Sequence, residues 1–167
     1  DYTITDSARQ VWPISCEQGI TGRTQQLLEE ATDEVILVVG HESIFTDRLA
    51  EQLSMANERG VDVIVGTVDE DLRITIQDAL PDIEVFVSGL NWLSRSPISG
   101  DETEISRLLL VDHEAILVSS FTETDTAGRE HEHGVFGRGF NNGLVVIVRR
   151  LMATGLLSEP DSETREA

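Results

Sequence analysis

Four histidines, one cysteine and a few polar residues at the ends of apolar runs are the side chains in this 167-residue sequence that could do chemistry. His131 and His133 flank Glu132, while His41 and His113 stand before Glu42 and Glu114. Imidazole and carboxylate together suit zinc, but zinc sites draw their ligands from elements that hold them rigidly. A His-Glu-His run in a polar stretch reads as solvated surface, so no metal is expected. Cys16 follows an apolar strand pattern, is expected to be half-buried, and has no basic partner to make it a thiolate. No glycine-rich phosphate loop is present, and no cofactor is implied. What remains is hydrogen bonding. In open parallel sheets ligands gather at the carboxyl ends of strands, and those ends carry Gly40-His41-Glu42, Gly66-Thr67 and Ser88-Gly89.

These groups need elements to position them. Val11–Ser15 reads as a short strand, which Pro13 puts at an edge or at a bulge. Gly19–Thr32 has helical periodicity, with Thr21 or Gly22 at its start. Glu34–Gly40 (EVILVVG) is apolar throughout, as in a strand covered on both faces. A helix over Thr46–Arg59 and the strand Val61–Val65 complete a β-α-β unit with parallel strands. An acidic helix over Asp69–Leu80 and the strand Ile83–Val87 follow. Ser88–Thr103 reads as a long loop in which Trp92 is an anchor packed on the domain or lines a pocket. Residues 104 to 120, EISRLLLVDHEAILVSS, hold two apolar runs around Asp112-His113-Glu114 and predict a buried hairpin. Thr122–His133 reads as a polar surface loop or a partly disordered segment. Val135 and Phe136 form a last short strand, and Asn142–Thr154 a helix that Gly155 ends. The first ten residues read as a linker from a missing N-terminal segment, residues 11–157 as one domain, and residues 158–167 as an acidic tail.

The charge balance narrows the function classes. There are 31 acidic residues against 12 basic ones, a net charge of −19, and every basic residue is arginine. Such a charge strains a compact domain through self-repulsion, and a screening length of about 3 Å at molar salt relieves it. The composition therefore points to a salt-rich, halophilic cytoplasm, and the single cysteine fits a reducing compartment. Nucleic-acid affinity rests largely on Lys and Arg at phosphates. With no basic stripe, this segment is not expected to bind DNA by itself. No apolar run approaches the ~20 residues of a membrane span.

Arg107, four apolar residues and Asp112 resemble the second half of the HxKxxxxD motif of the phospholipase D family, with Ser119 and Ser120 where a Gly-Ser pair follows. The resemblance implies a phospholipase D-like α/β fold, a mixed, mostly parallel sheet flanked by helices. It also implies that Ile105 stands where the family has its nucleophilic histidine. Isoleucine cannot form a covalent intermediate, so no catalytic residue and no enzymatic activity are expected; His113, beyond Asp112, does not replace it. The order of elements, with Ile20–Val65 and Gly139–Leu157 most alike, resembles the effector portion of TrmB-type archaeal transcriptional regulators in their short haloarchaeal form. In that family a winged-helix DNA-binding domain precedes the effector domain, and better-studied members bind sugars. The resemblance implies a non-enzymatic effector-sensing and dimerising domain, a homodimer that touches DNA only through the missing N-terminal domain. Its ligand would be a small polar metabolite, with a sugar among the candidates. The expected ligand-binding residues are Arg107, Asp112, Ser119, Ser120, His41 and Glu42. Two rivals stand beside this reading: a phospholipase D-like phosphodiesterase or other hydrolase, and a purely structural dimerisation module. Arg107 and Asp112 could equally form a structural ion pair.

The charge argument is tested by melting the protein in dilute buffer and in molar KCl. A higher melting temperature in KCl is expected, and equal values would remove the halophilic reading.

Overall fold

The computed structural model describes residues 10–90, 96–124 and 130–153. The expected linker, Trp92, Gly155 and the acidic tail lie outside them. Seven strands form one sheet in the order β1-β7-β6-β5-β2-β3-β4. In chain order the elements are β1 (Val11–Ile14), α1 (Glu17–Glu30), β2 (Glu34–Val39), α2 (Asp47–Glu58), β3 (Asp62–Thr67), α3 (Glu70–Ala79), β4 (Glu84–Val87), β5 (Glu104–Val111), β6 (Ala115–Thr124), β7 (Glu130–Arg138) and α4 (Gly143–Leu151). The mixed sheet flanked by helices is as expected, but its balance is not. Only the β2–β3 and β3–β4 pairs are parallel, and the other four pairings are antiparallel. The β-α-β units were legible because helices separate their strands. The excess of antiparallel pairs comes from the hairpins at the end of the chain.

Two apolar layers sandwich the sheet. On one face Leu27 and Leu28 of α1, Leu53 of α2 and Ile76 of α3 pack on Val35, Leu37, Val39, Leu109, Leu117 and Phe136. On the other, Val145, Val148 and Met152 at α4 pack on Ile36, Val38, Leu108, Leu110 and Ile116. The alternation of β2 across both clusters explains why EVILVV is apolar at every position.

The helix starts follow side-chain capping. Thr46 Oγ1 accepts from Leu49 N at 3.1 Å, Asp69 Oδ1 from Leu72 N at 2.9 Å, and Asn142 Oδ1 from Leu144 N at 2.9 Å. α1 begins earlier than its periodicity predicts, because Cys16 Sγ accepts from Gly19 N at 3.3 Å. Cys16 is exposed rather than half-buried. At the far end of α1, Arg59 donates to the carbonyls of Leu28 and Ala31 at 2.9 and 3.1 Å, satisfying acceptors that a helix terminus leaves open.

The largest departure lies between residues 122 and 133. The expected polar loop is instead the continuation of two strands, since β6 runs to Thr124 and β7 starts at Glu130. The expected two-residue strand at Val135-Phe136 is the last part of β7. Its polar residues alternate: Glu132, Gly134 and Phe136 are buried, while His131 and His133 are exposed. β1, with Pro13, is an edge strand paired only with β7.

The β5–β6 hairpin turns through Asp112 and His113, at φ 53° and 64°, with Glu114 N donating to Val111 O at 3.1 Å. Asp is among the few residues that tolerate this left-handed conformation. Its carboxylate accepts from the backbone N–H groups of Thr32, Asp33 and Glu34 at 3.1, 2.8 and 3.0 Å, tying the turn to the start of β2. Burial raises the Asp112 pKa, but these backbone donors outweigh it and hold the carboxyl below the usual aspartate range. A depressed folded-state pKa adds stability that is present above the unfolded value and lost as pH falls through the folded one. Asp112→Asn is therefore expected to cost about 1–2 kcal/mol near neutrality, with the difference from the parent shrinking below about pH 4. Urea unfolding at several pH values checks both.

Candidate functional site

At the opposite end of β5 from Asp112 lies a buried polar network. The β5–β6 register pairs Ile105 with Ser120 and Arg107 with Ser119, so Ser106 is an extra residue, a β-bulge. Without the bulge Ile105 and Arg107 would share a face. With it, Ile105 packs against the α4-side cluster, and Ser106 and Arg107 both enter the network on the α1 side. Ile105 and Arg107 therefore lie on opposite faces of the sheet, and Ser106 is the neighbour that shares Arg107's face. Gly40 is the counterpart on β2. A Cβ there would lie 1.9 Å from Ile105 O, so only glycine fits where the bulged backbone passes.

Arg107 is 5 % exposed and Glu132 4 %. Arg107 Nη2 donates to Glu132 Oε2 at 3.1 Å, Nη1 to Thr24 Oγ1 at 2.9 Å, and Nε to Ser119 Oγ at 3.1 Å. Ser106 Oγ and Ser119 Oγ reach Glu132 Oε2 at 2.8 and 2.7 Å and lie 2.7 Å from each other. Thr24 passes the chain on to Ile20 O at 2.8 Å. Burial pushes the Arg107 guanidinium below the usual arginine range, with Glu132 opposing it; arginine stays a cation in either environment. Glu132, Ser106 and Thr24 escaped sequence reasoning. The signal for Glu132 was the His-Glu-His alternation itself, which on a strand sends the middle residue to the opposite face.

The six expected ligand residues therefore divide. Arg107 and Ser119 are brought together in the network. Asp112 is roughly 16 Å away along the strand, so the alternative of an Arg107–Asp112 ion pair is excluded; the partner of Arg107 is Glu132. Ser120, one residue past Ser119, alternates away from the network and is half-buried. His41 and Glu42 line a different space, a crevice of about 370 Å³ at the carboxyl ends of β2 and β3 that also holds Asp69, Asp71, Thr75 and Glu104. His41 Nδ1 accepts from Ser43 N at 3.1 Å, which leaves the neutral ring with its proton on Nε2. Its ring meets Phe121 edge-on at 5.1 Å.

Size separates the two regions. Above Arg107, between α1 and the start of α2, the void is about 60 Å³, room for about two waters. Metabolite pockets measure roughly 300–1,000 Å³, a range the His41–Glu42 crevice meets. A larger groove of about 540 Å³ runs between α1 and α2, lined by Met55 and Arg59. It adjoins the void above Arg107 through Arg48 and Gln52, and its lining includes none of the groups singled out for chemistry. Ser88, at the end of β4, is buried with an Oγ that makes no hydrogen bond. Among the described residues no group of three or more His, Cys, Asp or Glu side chains could hold a metal ion, and no helix is long and apolar enough to cross a membrane.

No family model and no curated protein sequence matches the chain. Solved structures share its fold. Nuc from Salmonella typhimurium, a phospholipase D family member, is 17% identical with a TM-score of 0.55 over 87% of this chain and 95% of its own. NucT from Helicobacter pylori is 10% identical with a TM-score of 0.55 over 88% and 98%. TrmBL2, an archaeal chromatin protein with a novel mode of DNA binding, is 17% identical with a TM-score of 0.53 over 89% of this chain. The chain spans 55% of the TrmBL2 chain's length. The fold is thus phospholipase D-like, and it is shared by a phospholipase D family member and by a DNA-binding chromatin protein.

Removing one member of a buried ion pair strands the other. Glu132→Leu is expected to cost about 3–5 kcal/mol, and adding Arg107→Met to recover most of it. Urea unfolding of both variants checks this; a loss below about 1 kcal/mol for Glu132→Leu would show that Arg107 does not need its partner.

Proposed function

We propose that this chain is a non-enzymatic effector-sensing and dimerising domain of a TrmB-like archaeal transcriptional regulator. A small polar metabolite, with a sugar among the candidates, would occupy the crevice at His41 and Glu42. It would bias the geometry of a homodimer and so the DNA affinity of an attached winged-helix domain. The observation that carries the reading is the contrast between two regions. The end of β5 that corresponds to a phosphodiesterase motif is filled by mutually bonded Arg107, Ser106, Ser119 and Glu132, with space for about two waters. The crevice beside it is open and metabolite-sized. Covalent hydrolysis needs an activated nucleophile with access to substrate; both network serines are buried and no imidazole belongs to the network. The likeness in fold to TrmBL2, of whose chain the match covers 55%, supports a regulator with a further domain.

A thermal-shift screen of sugars, nucleotides and other polar metabolites in molar KCl tests the proposal. A ligand at a hundredfold excess over its Kd contributes about 2.7 kcal/mol, a rise of roughly 5–10 °C for a chain of this size. The shift is expected to shrink in Glu42→Gln, with no turnover of a phosphodiester by the parent. A screen without a hit would favour the structural dimerisation module, and turnover would restore the hydrolase.

A further inference from the structure

The crevice at His41 and Glu42 differs from the other two spaces in the sign of its lining. We propose that its ligand is an aliphatic amine, a molecule with ammonium groups at separate points on a short apolar body; the inference rests on the crevice being the effector site and names the chemistry of what enters it. Four carboxylates line the crevice: Glu42 after β2, Asp69 and Asp71 at the start of α3, and Glu104 at the start of β5. Among the described residues that line it, none is an arginine. This is not the chain's acidity spread evenly. The α1–α2 groove sets Arg48 and Arg59 among its acids, and the void above Arg107 sets Arg48 and Arg107 against Glu17.

The protein does not neutralise these carboxylates itself. Its ion pairs among the described residues lie elsewhere, at Glu70, Glu132, Glu34 and Glu30. Arg73, the cation of α3, is held by Glu70 through two bonds of 3.0 and 2.7 Å. Asp69 spends one oxygen on the α3 cap, 2.9 Å from Leu72 N, and keeps the other. Like charges facing one concave space repel, and a cation from outside relieves that repulsion. The carboxylates are spread along the crevice rather than gathered at one point, since no group of three or more among the described residues could hold a metal ion. A ligand with separated positive ends matches that spacing. Each ammonium has three N–H donors, and bonds from a charged donor to a carboxylate are about twice as strong as neutral ones. Val68 and Leu72 add an apolar portion for methylene groups. Molar KCl weakens the long-range attraction, but potassium donates no hydrogen bond and cannot reproduce these contacts. Phosphate or carboxylate groups meet like charge throughout.

The experiment is a calorimetric titration of the full chain in molar KCl with diaminobutane, butanediol and succinate, which share a four-carbon length and differ in the charge of their ends. Saturable binding of one diaminobutane per chain is expected, with neither of the others binding. Glu42→Gln and Asp71→Asn should each weaken it about fivefold or more, while Glu51→Gln, in the α1–α2 groove, leaves it unchanged. Glu42 and Asp71 are exposed, so both variants are expected to melt like the parent. If butanediol or succinate binds as tightly as the diamine and Glu42→Gln weakens it, the crevice stands as the effector site and the amine assignment falls. If diaminobutane binds the two crevice variants like the parent, its attraction is to the acidic surface at large, and the assignment falls. No saturable binding at millimolar diaminobutane overturns it as well, whereas the crevice itself is judged by the wider thermal-shift screen.

Discussion

The ion pair between Arg107 and Glu132 is the constraint on which the antiparallel half of this protein depends. A guanidinium and a carboxylate, each about 95 % buried, persist only if each satisfies the other and their remaining hydrogen-bonding sites are filled. Filling them fixes Ser106, Ser119 and Thr24 in place, and so binds β5, β6, β7 and α1 together. A pair of this kind adds little net stability over apolar residues of the same volume. What it supplies is register. Sliding β7 by one residue would present a histidine to Arg107 and expose Glu132, with both charges left uncompensated.

The bulge at Ser106 follows from the same requirement. Regular alternation would give β5 one side chain in the network where Glu132 needs two donors. The extra residue supplies the second hydroxyl and sends Ile105 into the α4-side cluster. Gly40 then becomes the point where β2 admits the displaced backbone, with Gly40 N donating to Ser106 O at 2.8 Å. A motif compared position by position cannot see a bulge, because the sequence spacing is intact while the facing of each residue has changed.

That difference marks the limit of what was legible. The parallel half could be read directly: EVILVV declares a strand buried on two faces, and Thr46, Asp69 and Gly60 mark helix ends by local chemistry. Those signals act over a few residues. The polar strand residues 131–133 carry no apolar signal, because the burial of Glu132 is decided by partners on β5 and β6. For the same reason His41 and Glu42 could be placed at a strand end from the sequence. The separation of Arg107 and Ser119 from Asp112 and Ser120 required the paired sheet.

Arginine usage extends the point to the whole surface. In a chain with no lysine, several of the described arginines are engaged in holding the fold. Arg59 closes the end of α1, and Arg107 is buried. Arg149 reaches the carbonyls of His113 and Phe140 while lying over the Phe140 ring at 3.9 Å. Arg23 and Arg138 approach the ring of Phe136 at 4.2 and 5.4 Å. A guanidinium bridges several acceptors at once and stacks on rings, which an ammonium does not. Cations used in this way cannot also line up against phosphates, whose recognition needs several exposed charges on one face. The acidic excess is then left to the solvent-facing positions and the crevice. Such a surface holds water and cations.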